Sequence, residues 1–336
     1  MQKLLFLYNP HAGKGKIKSV LSDIVELFVN ADYEVTIHST KGRDDAKNVT
    51  MEKGSEYDIV VASGGDGTLS EVINGIMTLD KKPYVGFIPT GTTNDFAMNF
   101  KISKTGVNAA KTVVLGKPFP YDIGEFNGRY FHYVASFGLF ANVAYSTPQA
   151  FKNAMGRVAY ILEGARSLVK VKSYNLKIEY DSNIIEDDFI FGMISNANSV
   201  GGFKSLTGKN VALNDGLFEV MLIKMPQNII ELQSIMNALF MMDMRNNYIY
   251  KFKASNIKIQ ADEEIEWTLD GEFGGKLMEV DIINHKQAID FLVEESVIVE
   301  LISEEDEDII DSHLIEKVDH DTIKNIAKNM DIDIDK

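Results

Sequence analysis

The segment Gly64-Gly65-Asp66-Gly67-Thr68 has the residue types from which a phosphate-handling loop is built. Three glycines let the backbone approach a ligand closely, and the free N–H groups at a helix start attract an anion. A carboxylate inside such a loop would repel phosphate unless a divalent cation, usually Mg2+, lies between them. The combination points to phosphoryl chemistry on a magnesium–nucleotide complex. The alternative is a plain tight turn from strand to helix. Thr68 and Glu71 stand as Thr-x-x-Glu, the pattern of a helix capping box.

Three other segments have chemistry-bearing residues. Asn9-Pro10-His11-Ala12-Gly13 precedes Lys14 and Lys16 but departs from Gly-x4-Gly-Lys-Ser/Thr, which excludes an ordinary P-loop enzyme. Its two lysines are either solvated or in contact with phosphate or a lipid head group. Pro89-Thr90-Gly91-Thr92-Thr93-Asn94-Asp95-Phe96 ends in an Asn-Asp pair, read either as a helix cap or as a second carboxylate for metal-bound water, with Asp122 as a third. Asp270-Gly271-Glu272 follows Trp267-Thr268-Leu269 and by itself is a hairpin turn. The six histidines show no paired spacing, which argues against a histidine metal site.

These loops need a scaffold that gathers them. Asp58–Ser63 has the β-branched density of a strand buried on both faces of a parallel sheet. Strand signals at Lys3–Tyr8, Tyr33–Thr40, Ile59–Ala62 and Tyr84–Pro89 alternate with helix signals ending near Asn30, Lys53 and Met77. That rhythm predicts an α/β fold with a doubly wound parallel sheet, whose ligands sit beyond the C-terminal strand ends. The loops 9–16, 64–68 and 89–95 all fall at that edge. From about Glu125 the pattern changes to strands at Tyr130–Phe137, Tyr174–Tyr180, Asp188–Asn196, Gly216–Ile223, Asn256–Gln260, Glu264–Leu269 and Met278–Asn284. Helical stretches are read only at Lys152–Val171 and Asn228–Met244. The expected units are an α/β domain over 1–124, a β-rich antiparallel domain over 125–302 and a tail over 303–336.

The chain has 336 residues, 45% hydrophobic and 25% charged, which suits a soluble two-domain protein. It has no cysteine, so disulfides and thiolate zinc sites are excluded. No apolar run approaches the roughly 18 residues of a spanning helix, and Met1–Tyr8 is too short for a signal-peptide core. A net charge of −15 argues against a nucleic-acid partner. About half of that excess lies after Ile302, in a tail read as solvated or disordered, with a regulatory contact as the alternative. Between Phe151 and Lys177, by contrast, Lys152, Arg157, Arg166, Lys170, Lys172 and Lys177 face only Glu163. This run is either an ordinary amphipathic helix or a basic face for an anionic membrane.

Taken together, Asn9-Pro10…Gly13, Gly64 to Thr68 with Glu71 and Asn74, Gly91-Thr92-x-Asn94-Asp95-Phe96-Ala97, Asp215-Gly216-Leu217 and Asp270-Gly271-Glu272 resemble the diacylglycerol kinase catalytic family, soluble bacterial lipid kinases related to sphingosine kinases. The motifs occur in the family's order over residues 1 to about 295. The resemblance implies an active site in the cleft between the two domains. Asn9, Pro10, His11, Ala12, Gly13, Thr40, Gly65, Asp66, Gly67, Thr68, Leu69, Ser70, Glu71 and Thr92 would line an ATP site. Asp66, Asp95 and Asp122 would organise catalytic Mg2+ and its waters, and Glu272 would be the general base. Asp215, with carbonyls near Ala212 and Leu217, would hold a structural Mg2+. Ala12 departs from the usual serine, which leaves phosphate contacts there to the backbone.

The implied reaction is ATP-dependent phosphorylation of a lipid alcohol, diacylglycerol first, with phosphatidylglycerol, sphingoid or polyprenol alcohols as alternatives. An NAD kinase or phosphofructokinase shares the Gly-Gly-Asp-Gly turn, and a catalytically dead lipid or nucleotide binder is the reading from another class. The expected setting is the cytoplasm with transient peripheral contact at the inner face of the membrane. A homodimer is compatible with this reading.

Overall fold

A computed structural model of the chain describes residues 1–92, 94–139, 172–197, 211–241 and 246–301. The expected helix over Lys152–Val171 and the acidic tail lie outside the described residues.

The first part of the chain contains β1 (Gln2–Tyr8), α1 (Leu21–Asn30), β2 (Tyr33–Ser39), α2 (Asp45–Lys53), β3 (Ile59–Gly64), α3 (Asp66–Ile76), β4 (Tyr84–Pro89), α4 (Asp95–Asn99) and α5 (Gly106–Leu115). Strands β2, β1, β3 and β4 lie side by side in that order and all run parallel. Every residue of β3 is buried, as are Leu4 to Leu7 of β1, which is why these strands read as continuous apolar runs. Burying each large apolar side chain among them, such as Ile59, Val60, Val61 or Leu4 to Leu7, contributes about 1.5–3 kcal/mol. Tyr8 pairs with both Ser39 and Ser63, and Gly64 pairs with Pro89. The four strands therefore end level, and their outgoing loops emerge along one rim.

The remainder forms β5 (Lys117–Phe126), β6 (Arg129–Phe131), β7 (Val134–Gly138), β8 (Tyr174–Tyr180), β9 (Asn183–Ser195), β10 (Phe218–Lys224), α6 (Ile229–Met241), β11 (Ile249–Ala254), β12 (Asn256–Leu269) and β13 (Glu272–Val293). The antiparallel β-rich character is as expected. The single strand expected over Tyr130–Phe137 is two, because Asp270 takes the backbone N–H groups of His132 and Tyr133 and breaks the ladder. The two expected over 256–269 are one strand with a register shift between Gln260 and Ile265.

Strand β13 joins the two halves. It pairs antiparallel with β12 and β5, then reaches β4, where Phe291 pairs with Val85 in parallel. Ile289, Phe291, Val293, Val297 and Leu301 consequently belong to the core built on β1, β3 and β4, although they follow the β-rich segment in sequence. Separate cores lie within the β-rich part, one around Trp267, Phe137 and Phe126, the other between α6 and strands β9 and β10.

Candidate active site

A cleft of about 990 Å³ opens at the rim where the parallel strands end. Two close glycine contacts shape it. Gly13, Lys14 and Gly15 follow one another in the left-handed region, and a Cβ on Gly13 would stand 1.9 Å from the Thr90 carbonyl oxygen. A Cβ on Gly91 would meet Gly65 Cα at 2.5 Å, so the loops after β3 and β4 touch backbone to backbone. Backbone packed this closely lets a bound anion approach the main chain without interference from side chains, as a phosphate site requires. Asn9 holds the first loop: its Oδ1 accepts from His11 N–H at 2.9 Å, and its Nδ2 lies 3.5 Å from Thr68 Oγ1.

Of the expected nucleotide residues, Asn9, His11, Ala12, Gly13, Thr40, Gly65, Gly67, Thr68, Ser70, Glu71 and Thr92 line this cleft, together with Glu272. Leu69 does not, since its side chain is fully buried in the first core. Pro10 and Asp66 are not lining residues either, although Gly65 and Gly67 on both sides of Asp66 are. The capping-box reading also fails. Helix α3 starts at Asp66 behind Gly65, with no side-chain cap, and Glu71 serves another helix. Its Oε1 accepts from Asp44 N–H at 2.9 Å and its Oε2 from Ala46 N–H at 3.1 Å, so it caps α2. Burial pushes the Glu71 carboxyl up, against those two hydrogen bonds.

Asp66 and Asp95 each open a helix, α3 and α4, and they face one another electrostatically. Burial, then the Asp66 charge, pushes Asp95 up to about 6. Asp66 Oδ1 lies 3.4 Å from Phe96 N, which ties the two loops together. Two carboxylates repelling beside a phosphate cradle form a fitting donor set for Mg2+, which commonly takes one or two carboxylates plus substrate phosphates. Asp122 is elsewhere. Its oxygens accept from Gly216 N–H at 2.6 Å and Gln287 N–H at 2.7 Å, and it is not a cleft residue. Its role is to pin the Asp215 loop to β13.

The second metal position expected at Ala212, Asp215 and Leu217 has a different occupant. Asp215 Oδ1 accepts from Leu217 N–H at 2.8 Å, while Oδ2 lies 3.2 Å from the ammonium of Lys253. The same ammonium is 3.1 Å from buried Glu219, whose carboxyl burial pushes up to about 7. Lys253 already supplies positive charge at Asp215. Among the described residues no group of three or more histidines and carboxylates could hold a metal ion. In this arrangement the residues do not fit a divalent ion.

Glu272 comes from the opposite side of the cleft. A Cβ on Gly67 would stand 2.9 Å from Glu272 Oε1, so the carboxylate rests against the glycine loop. The turn that presents it is held by Asp270, whose carboxylate accepts from the N–H groups of His132, Tyr133 and Val134 at 2.9–3.0 Å. Asp270 also pairs with buried His132 at 2.8 Å. Burial alone would discharge both groups. Instead, His132 and the N–H donors hold Asp270 below the usual carboxylate range, and Asp270 holds His132 above 6.5. Phe96, next to Asp95, packs its ring 5.3 Å from His132, linking the aspartate loop to the glutamate turn.

Sequence reasoning missed His132 and Arg129, and the cations Lys41, Arg43 and Lys47 on the cleft wall. Only Arg129 had a signal, the Asn127-Gly128 pair that marks a hairpin just before it.

A glycine-lined cleft bordered by the loops that carry Asp66 and Asp95, with Glu272 resting against the glycine loop, is the site of a phosphotransferase. Comparison with known proteins makes the assignment specific. Residues 3–126 match the diacylglycerol kinase catalytic domain, and residues 133–285 match the YegS C-terminal NAD kinase beta sandwich-like domain. The diacylglycerol kinase of Bacillus subtilis (strain 168) is 36% identical over 280 residues, covering 82% of this chain and 92% of the relative. That of Staphylococcus epidermidis (strain ATCC 12228 / FDA PCI 1200) is 33% identical over 302 residues, covering 89% and 95%. The crystal structure of a diacylglycerol kinase from Bacillus anthracis str. Sterne superposes with a TM-score of 0.71 at 28% identity, covering 88% of this chain and 98% of that one. The chain belongs to the diacylglycerol kinase family.

Proposed function

We propose that the protein transfers the γ-phosphoryl group of ATP to the free hydroxyl of diacylglycerol, giving phosphatidic acid and ADP. The observation that carries this reading is the Glu272 carboxylate lying against Gly67 of the glycine loop, where a hydroxyl, a phosphoryl group and a proton acceptor would meet. In this scheme the loops after β1, β3 and β4 hold the nucleotide phosphates through backbone N–H groups, and Thr40 and Thr92 border the same cleft. Asp66 and Asp95 would hold Mg2+, which when bound offsets phosphate charge. Glu272 accepts the hydroxyl proton as the alcohol oxygen bonds to phosphorus and the bond to the ADP oxygen breaks. Positioning and charge neutralisation do most of the work in such a transfer.

A lipid acceptor brings the protein to a bilayer surface, and peripheral contact is part of the proposal. Among the described residues no helix is long and apolar enough to cross a membrane. Most of the basic run 152–177 lies outside the described residues. Of its described members, Lys172 pairs with Glu263 and Lys177 with Glu179.

The test is radiolabelled ATP with mixed micelles of candidate lipids, products separated by chromatography. Labelled phosphatidic acid is expected, and label only in a soluble acceptor such as NAD would overturn the reading. Glu272→Gln should lower kcat by about 10²- to 10⁴-fold while ATP binding persists. Near wild-type turnover in that variant would remove Glu272 from the mechanism.

A further inference from the structure

The arginine at the start of β6 faces the cleft from the same side as Glu272. Its Nη2 lies 3.5 Å from Glu272 Oε2, and its Nη1 donates to the carbonyl oxygen of Phe273 at 2.9 Å. One planar guanidinium therefore spans the carboxylate and the main chain of the next residue. A lysine, with a single ammonium, has no comparable fork. The other carboxylate oxygen, Oε1, is the one set against Gly67.

An exposed arginine is ordinarily a mobile side chain whose ion pair contributes little. Arg129 differs because the backbone beneath it is fixed from two directions. It follows the Asn127-Gly128 turn, with φ of 46° and 82°, the two-residue form that matches strand twist. That turn is clamped to β13: Asn127 N–H donates to Asp281 O at 3.1 Å, and Asp281 N–H donates back to Asn127 Oδ1 at 2.8 Å. On its other side, Tyr130 N–H donates to Asn74 Oδ1 at 3.1 Å, and Asn74 Nδ2 donates to Tyr130 O at 2.9 Å. Asn74 belongs to α3, the helix that begins in the glycine loop. Arg129 thus sits on a strand bolted both to the phosphate-loop helix and to the strand that carries Glu272.

We infer that Arg129 is a positioning residue for phosphoryl transfer, holding the Glu272 carboxylate and its turn at the distance from the glycine loop at which the acceptor hydroxyl is deprotonated. The inference rests on Glu272 being the base. Without the guanidinium, Glu272 remains on the turn that Asp270 anchors, but its half-exposed side chain samples other rotamers. A displacement of about 1 Å at a reacting group costs about 10²-fold in rate.

The experiment compares Arg129→Gln, Arg129→Lys and Glu272→Gln in the full chain, with ATP and diacylglycerol in mixed micelles. Arg129→Gln should lower kcat by about 10²-fold with the KM for ATP within a factor of about two of wild type. Arg129→Lys should recover only a small part of that loss, because it restores charge but not the fork. Guanidine at tens of millimolar should partly rescue Arg129→Gln and leave Glu272→Gln unchanged. If Arg129→Gln fails to fold, Arg129→Lys with its thermal unfolding midpoint decides the question alone: a folded lysine variant with wild-type kcat overturns the inference. Wild-type kcat in Arg129→Gln overturns it equally. If Glu272→Gln is itself fully active, the failure belongs to the base assignment. If Glu272→Gln is impaired and Arg129→Gln is not, the failure is that of Arg129 alone.

Discussion

His132 and Asp270 show how much a single buried contact does at this site. A fully buried ion pair is tolerated only when its remaining hydrogen-bonding capacity is met, and three backbone donors meet it for Asp270. Asp270→Asn keeps the shape but removes the charge that balances His132. It should lower unfolding free energy by about 3–5 kcal/mol, measured by urea denaturation at pH 6. The pH dependence has a definite sign. His132 is raised in the folded state, so its contribution is complete below about 6.5 and is lost as pH rises through its folded value. Asp270 is lowered, so its contribution is present above about 3.8 and is lost as pH falls through its folded value. The gap between wild type and Asp270→Asn should therefore narrow at alkaline pH. A constant gap from pH 6 to 10 would show that the charge on His132 is immaterial.

At the scale of elements, the site is a set of helix starts tied to one another. Helices α3 and α4 each begin with a carboxylate, and α2 is capped by Glu71 from α3. Replacing Glu71 by Ala uncaps α2 and should lower stability by about 1 kcal/mol, visible in the thermal midpoint. The Asp66–Asp95 repulsion makes a second expectation. Millimolar Mg2+ should raise the thermal midpoint of the wild type, since a ligand at 100 times its Kd adds about 2.7 kcal/mol. Asp66→Asn should lose that increment, and an equal increment in the variant would place the ion elsewhere.

For the whole molecule, the return of β13 into the first core makes the α/β unit depend on residues far from it in sequence. Ile289, Phe291 and Val293 are each at most 2% exposed in that core. Deleting large core side chains costs about 2–5 kcal/mol each, against a typical total stability of 5–15 kcal/mol. A chain ending at residue 301 should therefore fold and retain kinase activity, whereas one ending at residue 285 should not fold. Circular dichroism and analytical gel filtration distinguish these outcomes. A folded, active chain ending at 285 would show that the returning strand is dispensable.

The amino-acid sequence by itself determined the rhythm of the first half. Buried strands such as Ile59–Gly64 declare themselves through β-branched runs, and Gly13 and Gly91 mark loops that only residues without a Cβ can pack so closely. Local pattern also pointed to Asp66, whereas Glu272 by itself read as part of a hairpin turn and gained its role only from the family resemblance, carried by the order of the short motifs along the chain. Pairing across distance was decided only by the tertiary structure. Nothing near Arg129 announces that it meets Glu272 across 143 positions, nor does Asp122 announce that Gly216 and Gln287 claim it rather than the cleft. The same holds for Lys253, which reaches Asp215 across 38 positions. Propensity and periodicity are properties of neighbours in sequence. Ion pairs, helix caps from other helices and the crossing of β13 depend on register and burial, which exist only once the sheet has formed.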